Sequence, residues 1–426
     1  MSVVVRPLRA DDDLEPDLDL GHRAFGPFGG EERERRLASV RATVSAGQHL
    51  AAFDGSAMVA SARYFDLRQW WYGRPLPAAG VADVKVAPEE RGRGVGRALL
   101  TGLLEQIKAD GYALSVLYPA TSAVYRSLGW ELAGGQYDIT VPARSLRSLQ
   151  PPEPLTGASG TSAGAGQQAG ADAAGGADAA GGANAAVRRA GPADAAEIIA
   201  REGELHAAAR DCGPVTFDAA TLADLLDDPG IYCYLAPDGF LAYRWNRGSD
   251  EMLAYCVRAG SAATARALWS ILASHGTMVA AVRAFVNPAD PVTWLVREPD
   301  VTLTRRHMWM LRLVDAPAAI AGRGFPDGAV LTVPLSLRDA QLPGNSGPWM
   351  LEISGGKGAL TRAETTAGLA GSAGPLRLGA RGLAAMYAGT PLATLRQAGL
   401  VAGGEPGADA ALNEAFAGTT YMFDYF

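Results

Sequence analysis

Three arginines and three glycines interleave at Arg91-Gly92-Arg93-Gly94-Val95-Gly96-Arg97, and this spacing suits the capture of an anion. The first backbone N–H groups of a helix have no partner inside it, and they carry the positive end of the helix dipole. Glycine lets a bulky phosphate approach the backbone and permits dihedrals that other residues avoid. Arg91, Arg93 and Arg97 add charge that can pair with phosphate oxygens. A Walker-type phosphate loop is disfavoured, because no Gly-Lys-Ser/Thr follows. A nicotinamide-cofactor fingerprint is weak, because the glycines run G-x-G-x-G. The competing reading is a solvated basic turn ahead of an ordinary surface helix.

Periodicity shows what must position this turn. In Val84-Lys85-Val86 apolar residues alternate with a charge, as on a half-buried strand. Pro88 cannot donate to a sheet ladder and should end that strand. After the turn Val95, Leu99, Leu103 and Ile107 recur every fourth residue, with Leu100 and Leu104 beside them. That is one apolar helix face. Ala113 to Leu117 reads as a buried strand, and Tyr118-Pro119 changes direction. Residues 121–128 read as a short helix carrying Tyr125, capped by Thr121 or Ser122 and closed by Gly129. Upstream, residues 2–9 read as a strand, and Leu14 to Phe25 and residues 31–46 as helices. HLAAF and MVASARY form a hairpin around Asp54-Gly55. Trp70, Trp71 and Tyr72 make an aromatic cluster, either core packing or one wall of a substrate pocket.

The 426 residues are enough for two to four domains, and 48% of them are hydrophobic. A net charge of -7 argues against nucleic-acid binding by bulk electrostatics and leaves room for cationic substrates. Cys212, Cys233 and Cys256 are widely spaced, and His22, His49, His206, His275 and His307 are scattered, so neither a disulfide framework nor a metal site is expected. No stretch approaches a membrane span and no apolar leader opens the sequence, which makes the cytoplasm the expected compartment. Pro151 to Ala186 is almost entirely Ala, Gly, Ser, Asp and Gln, and is expected to be a disordered insertion. From Val187 the chain faintly repeats its own beginning. Gly239 to Trp245, Glu251 to Val257 and a helix from about Ala262 to His275 follow the earlier order of strands and helix. This copy has Arg258-Ala259-Gly260-Ser261 where the glycine–arginine turn would stand, so it is expected to have lost cofactor binding.

The stretch from Gly80 to Asp110 resembles the acetyl-CoA signature of the GNAT superfamily of N-acetyltransferases, through Val84, Val86, Pro88, Arg91, Gly92, Gly94 and Gly96. Tyr125, before Leu128-Gly129-Trp130, matches the tyrosine that lies near the thioester sulfur in many members. More narrowly, the whole chain resembles the Eis (enhanced intracellular survival) acetyltransferases. RRHMWMLRLVDAPAAIAGRGF is similar to that family's entry into its third domain, RGLAAMYAGTPLATLRQAGLV to a late motif of it, and the chain ends on an aromatic residue as members do. The implied fold class is α/β (α+β), with two tandem GNAT-like domains, the second degenerate, and a C-terminal domain like sterol carrier proteins. The implied boundaries are 1–140, 187–300 and 301–426, with a strand near 136–148 able to join the last.

Acetyl transfer to an amine then assigns roles. The backbone of Val84, Lys85 and Val86 and of Gly92 to Arg97, with Thr121 nearby, would hold acetyl-CoA; no metal is called for. A backbone N–H near Val84 to Val86 would polarise the thioester carbonyl. Tyr125 is the candidate acid, because a phenol with a reference pKa of about 10 is protonated near neutrality; the alternative is a packed helix tyrosine. The family resemblance implies that the C-terminal carboxylate of Phe426 is the base; the alternative is a frayed end. Tyr425 precedes Phe426, so the nearest side-chain carboxylate is that of Asp424. Phe25, Phe28, Trp71, Asp83 and Asp424 are candidates for the acceptor pocket. The resemblance further implies an aminoglycoside or lysine amine as acceptor and a homohexamer. The rival reading is a lipid carrier with the front domains as a regulatory scaffold.

Overall fold

The computed structural model describes residues 3–149, 186–246, 248–298, 300–364, 374–405 and 407–426. The insertion expected to be disordered lies outside these residues, except for Ala186.

The first unit runs β1 (Val4–Pro7), α1 (Glu15–Phe25), α2 (Glu31–Ser45), β2 (His49–Asp54), β3 (Ala57–Trp71), β4 (Arg74–Val86), α3 (Val95–Ala109), β5 (Leu114–Leu117), α4 (Ser122–Ser127), β6 (Glu131–Pro142) and α5 (Ala143–Leu146). The apolar face of α3 is buried as its spacing predicts: Val95, Leu99, Leu100, Leu103, Leu104 and Ile107 pack with Ala79, Val81 and Leu117 of the sheet. Each fully buried leucine there contributes roughly 1.5–3 kcal/mol. The second arm of the hairpin runs past Tyr64 to Trp71, because β4 pairs along its whole length down to Trp71↔Arg74.

The second unit repeats that order. It comprises β7 (Arg188–Ala190), α6 (Ala195–Ala209), β8 (Cys212–Thr216), α7 (Ala219–Leu226), β9 (Ile231–Ala236), β10 (Gly239–Trp245), β11 (Glu251–Ala259), α8 (Ala262–Ser274), β12 (Ala281–Phe285), α9 (Val292–Leu295) and β13 (Thr302–Leu313). The two units build all but one strand of a 14-stranded sheet, in the order β1-β2-β3-β4-β5-β13-β6-β12-β11-β10-β9-β7, with β8 against β3. Their last strands are exchanged. β13 of the second unit pairs with β5 of the first, β6 of the first pairs with β12 of the second, and β13 and β6 pair with each other at the centre. Two sequence expectations are corrected by this. Residues 302–313 do not open the third domain but end the second unit, and the strand from 131 to 142 belongs to the large sheet, not to the third domain. Strand partners across such distances are set by tertiary pairing and leave no local trace.

The third unit consists of α10 (Ala316–Gly322), β14 (Leu331–Arg338), β15 (Gly347–Ser354), β16 (Lys357–Arg362), β17 (Leu376–Gly379), α11 (Ala380–Tyr387), α12 (Leu392–Gln397), β18 (Val401–Ala402), α13 (Ala408–Ala415) and β19 (Tyr421–Met422). Its own sheet has the order β16-β15-β14-β17-β18, while β19 returns to the large sheet and pairs with β6. Side chains of Leu335, Trp349, Leu351, Leu378, Leu383 and Met386 fill the space between sheet and helices. The junction of all three units is aromatic. Trp71, a candidate pocket wall from the sequence, is fully buried there. Its ring lies 4.7 Å from Tyr387 and 6.2 Å from Trp309, with the Arg323 guanidinium 5.3 Å away. It is therefore a core residue, held by interdomain packing.

Candidate functional site

β4 and β5 run parallel and pair from Ala78↔Leu114 to Val81↔Leu117. Past that point β5 ends and β4 continues alone to Val86, still bonded to β3 on its other edge through Ser61↔Lys85 and Ala60↔Val86. A slot therefore opens between the two strands. Backbone groups of β4 that face away from β3 have no strand partner there, which is where a ligand amide or carbonyl could bond. A bulge sits at the branch, where Asp83 takes φ 51° and its carboxylate pairs with Arg63 at 2.6 Å.

The glycine–arginine turn lies at one mouth of the slot. Gly92 and Gly94 take φ 80° and 83°, a region costly for any residue with a Cβ. Gly94 is the N-cap of α3 and supplies no side-chain cap, so the first N–H groups of the helix point outward unclaimed by a side chain. Val95 is buried as the first residue of the apolar face, and Gly96 comes so close to Val86 that an added Cβ would lie 3.3 Å from it. Arg91 is exposed. Arg93 pairs with Glu90 at 2.5 Å, and Arg97 donates to Ser127 at 2.9 Å, tying α3 to α4. Thr121 occupies the N-cap position of α4 without a side-chain capping bond.

Tyr125 lies in the α3-side core with Val84 and Val86, its ring 6.3 Å from Trp130. Burial pushes its phenol up to about 12. Among the described residues its hydroxyl has no hydrogen-bond partner, so it is free to donate.

Lys85 departs from the role its position suggests. Its side chain points to the other face of β4 and is buried, donating to the Asp17 carboxylate at 2.8 Å. Asp17 also accepts from Ser61 at 2.5 Å, and His49 Nε2 lies 3.2 Å away. Only the backbone of Lys85 is available to a cofactor. Phe25, Phe28 and Asp83 come together with Lys85 and Arg36 in one crevice between α1, α2 and β4. Phe28 is held there by His22, 3.9 Å between rings, and by the Arg36 guanidinium 4.5 Å above it. Phe25 remains half exposed.

The chain terminus reaches the slot from the far side of the sheet. A Cβ added to Gly80 would lie 2.9 Å from the Phe426 ring and 2.4 Å from Leu67. Since Ala79 and Val81 face α3, strand alternation puts Phe426 on the opposite face. The end is tied down. Tyr118 donates to the Asp424 carbonyl at 2.7 Å, and its ring lies 4.5 Å from Tyr425 and 5.6 Å from Phe426. His307 covers Tyr425 at 4.8 Å. Burial, then the neighbouring Asp424 and Tyr425, push the Tyr118 phenol well above its ordinary range. The Asp424 carboxyl lies within the fields of Glu202, His206 and Arg258 of the second unit as well as beside Tyr118 of the first. Burial and then the charge of Glu202 raise it to about 7.

The structure thus gathers Val84 to Val86, the glycine turn, Tyr125 and Phe426 around one slot. It puts Phe25, Phe28 and Asp83 in a crevice beside that slot and removes Trp71 to the core. Sequence reasoning missed Tyr118 and His307. Tyr118 directly follows the apolar run of β5, and that position at a strand end was the available signal; His307 had none.

Comparison with known proteins follows the same division. Residues 5–133 and 220–313 each match an acetyltransferase (GNAT) domain, and residues 316–423 match a sterol carrier protein domain. The chain is 28% identical over 280 residues to the N-acetyltransferase Eis of Mycobacterium tuberculosis, and the match covers 64% of each, slightly under two thirds of that relative's length. The crystal structure of a GCN5-related N-acetyltransferase from Kribbella flavida superposes with a TM-score of 0.87 at 39% identity, covering 100% of this chain and 98% of that one. Eis1 from Mycobacterium abscessus shares the fold, with a TM-score of 0.73 at 22% identity over 99% and 100% of the two chains.

Proposed function

The chain belongs to the GNAT superfamily of N-acetyltransferases, and on that premise, with its likeness to Eis, we propose that it moves the acetyl group of acetyl-CoA to a primary amine by direct attack in a ternary complex. The observation that carries the proposal is the slot beyond Val81↔Leu117, with a phosphate-suited turn beside its open end and the chain terminus against Gly80 and Tyr118 where the strands part. In this reading the diphosphate rests on the N–H groups of Gly92 to Arg97, with Arg91 free to add charge. The pantetheine arm then takes the β5-side edge of β4, as a strand would. The thioester carbonyl accepts from a backbone N–H near Val84 to Val86, which stabilises the oxyanion as the amine attacks.

Two proton transfers complete the reaction. The attacking amine must be neutral, and the Phe426 carboxylate, ionised at a reference pKa near 3.5, accepts its proton directly or through water. The leaving thiolate is protonated by Tyr125, whose buried, unpartnered hydroxyl keeps its proton throughout the working pH range. Holding both groups on a packed sheet supplies the proximity that lowers the barrier. The acceptor side is read as the aromatic crevice of Phe25 and Phe28, where Asp83 is already paired with Arg63, together with the terminal carboxylate, which suits an ammonium-bearing substrate such as an aminoglycoside or a lysine side chain.

A thiol-release assay with acetyl-CoA over aminoglycosides, polyamines and lysine peptides tests this. Amine-dependent CoA release is expected, and release that no amine stimulates would refute the reaction. The rival lipid-carrier reading draws on the third unit's match to a sterol carrier protein domain, and co-purification of CoA rather than lipid, read by mass spectrometry, separates the two.

A further inference from the structure

The second unit repeats the slot of the first. β11 and β12 pair in parallel from Glu251↔Ala281 to Ala254↔Ala284 and then part, while β11 runs on to Ala259. Four residues beyond the last pair stands Arg258, as Lys85 stands four beyond Val81. Both are buried cations, each gripped by an aspartate. Arg258 Nη2 donates to Asp211 at 2.9 Å, and His206 Nδ1 lies 2.8 Å from the same carboxylate oxygen. The turn differs, however. Ser261 caps α8 with its own hydroxyl, which accepts from the Thr264 N–H at 3.2 Å and so takes a group that a diphosphate would need.

The second slot is filled by the chain's own end. The Val286 N–H bonds to the Tyr137 carbonyl, and immediately beyond it β19 takes over the edge of β6 at Gln136 and Gly135. Arg258 Nη1 donates to the Tyr421 hydroxyl at 3.1 Å, and its guanidinium lies 4.7 Å from the centre of the Phe423 ring. Gln136 Nε2 donates to the Phe423 carbonyl at 2.6 Å. Gly213 leaves room for the strand, since a Cβ there would come within 2.4 Å of the Tyr421 carbonyl oxygen. Asp424 follows within the fields of Glu202, His206 and Arg258. Tyr425 and Phe426 then reach Tyr118 and Gly80 at the first slot.

We propose that the degenerate unit is a holder for the chain terminus: Arg258, braced by Asp211 and His206, grips Tyr421 and Phe423 where a working unit would take the cofactor's arm, and so sets the Phe426 carboxylate at the first slot. Arg258, Tyr421 and Phe423 are positioning residues, and the proposal rests on the reading that the terminal carboxylate serves the transfer. A free terminus frays. Three residues extend about 10 Å, so an anchor at Phe423 confines Phe426 to one side of β4, whereas an anchor lost at Phe423 frees the carboxylate to wander. A charged donor buried against a hydroxyl is among the stronger single anchors available.

The test uses the full chain with Tyr421→Phe, which deletes only the gripped hydroxyl, and Arg258→Lys, which keeps the charge facing Asp211 but loses the fork. Release of Phe426 and Tyr425 by carboxypeptidase A, followed by mass spectrometry, reports how often the tail leaves its slot. Steady-state kinetics and Tm are measured alongside. Release is expected to rise at least about tenfold in each variant, and kcat to fall by the fraction of tails no longer held, with KM for acetyl-CoA and the first unit's fold unchanged. Release equal to wild type in both variants would overturn the holder, even if deleting Phe426 abolishes activity. Release as fast as that from an unanchored peptide, with kcat unmoved, would instead keep the holder and remove the terminal carboxylate from the chemistry.

Discussion

Neutralising Asp17 should damage both stability and cofactor use, by an amount the geometry fixes. Asp17 and His49 are fully buried, and Lys85 is 3% exposed. Burial alone would raise the Asp17 carboxyl; the His49 hydrogen bond and the Lys85 charge outweigh it and hold the group well below the ordinary carboxylate range. Asp17→Asn leaves the Lys85 ammonium buried without a counter-charge, and breaking one partner of such a pair costs about 3–5 kcal/mol. That is a large part of a typical domain's stability of roughly 5–15 kcal/mol. Lys85 lies between Val84 and Val86, so its displacement also shifts the edge of the slot and should raise KM for acetyl-CoA. Urea denaturation at neutral pH measures the first effect and steady-state kinetics the second. Removing the charge as well, in Asp17→Asn with Lys85→Met, should recover much of the lost stability. The acid limb supplies a second check. A carboxyl with a lowered native pKa contributes stability above its unfolded value of about 3.9, and that contribution is lost as pH falls toward the native value. The variant should therefore lose less stability on acidification than wild type does. A loss under about 1 kcal/mol in Asp17→Asn, or a double variant no better than the single one, would refute the reasoning.

Tyr125→Phe should lower turnover at least about tenfold while leaving acetyl-CoA affinity intact; unchanged turnover by thiol release would remove Tyr125 from the mechanism. A single residue appended after Phe426 keeps the ring but moves the carboxylate, so it should abolish most activity, and full activity would exclude the terminus as base. Gly92→Ala meets open space but a φ of 80°. It should cost about 1–2 kcal/mol of local strain, seen as a raised KM for acetyl-CoA. The Asp424 carboxyl, raised to about 7, lies near Glu202 and His206 on α6, Cys256 and Arg258 on β11, and Tyr118 just past β5. Its proton favours the held tail, so holding weakens as pH rises from about 4 to 7. Carboxypeptidase release should be faster at pH 8 than at pH 5 in wild type, with the difference much reduced in Asp424→Asn.

The sequence by itself determined whatever is local. The four-residue spacing of Val95, Leu99, Leu103 and Ile107 set α3 and its buried face, and glycines at positions of positive φ set the glycine–arginine turn, because backbone sterics and helix period act within a few residues. Residues 187–300 carried enough of the same order to be read as a copy. Tertiary structure decided the rest. No local pattern says that β13 slips between β5 and β6, that Trp71 is core while Phe28 lines a crevice, or that Lys85 turns away from the slot toward Asp17. Nor does any sequence spacing join Arg258 to Tyr421 across 163 residues. Those pairings are chosen by which buried charges and strand edges must be satisfied once the units pack, and a chain shows that only when it is folded.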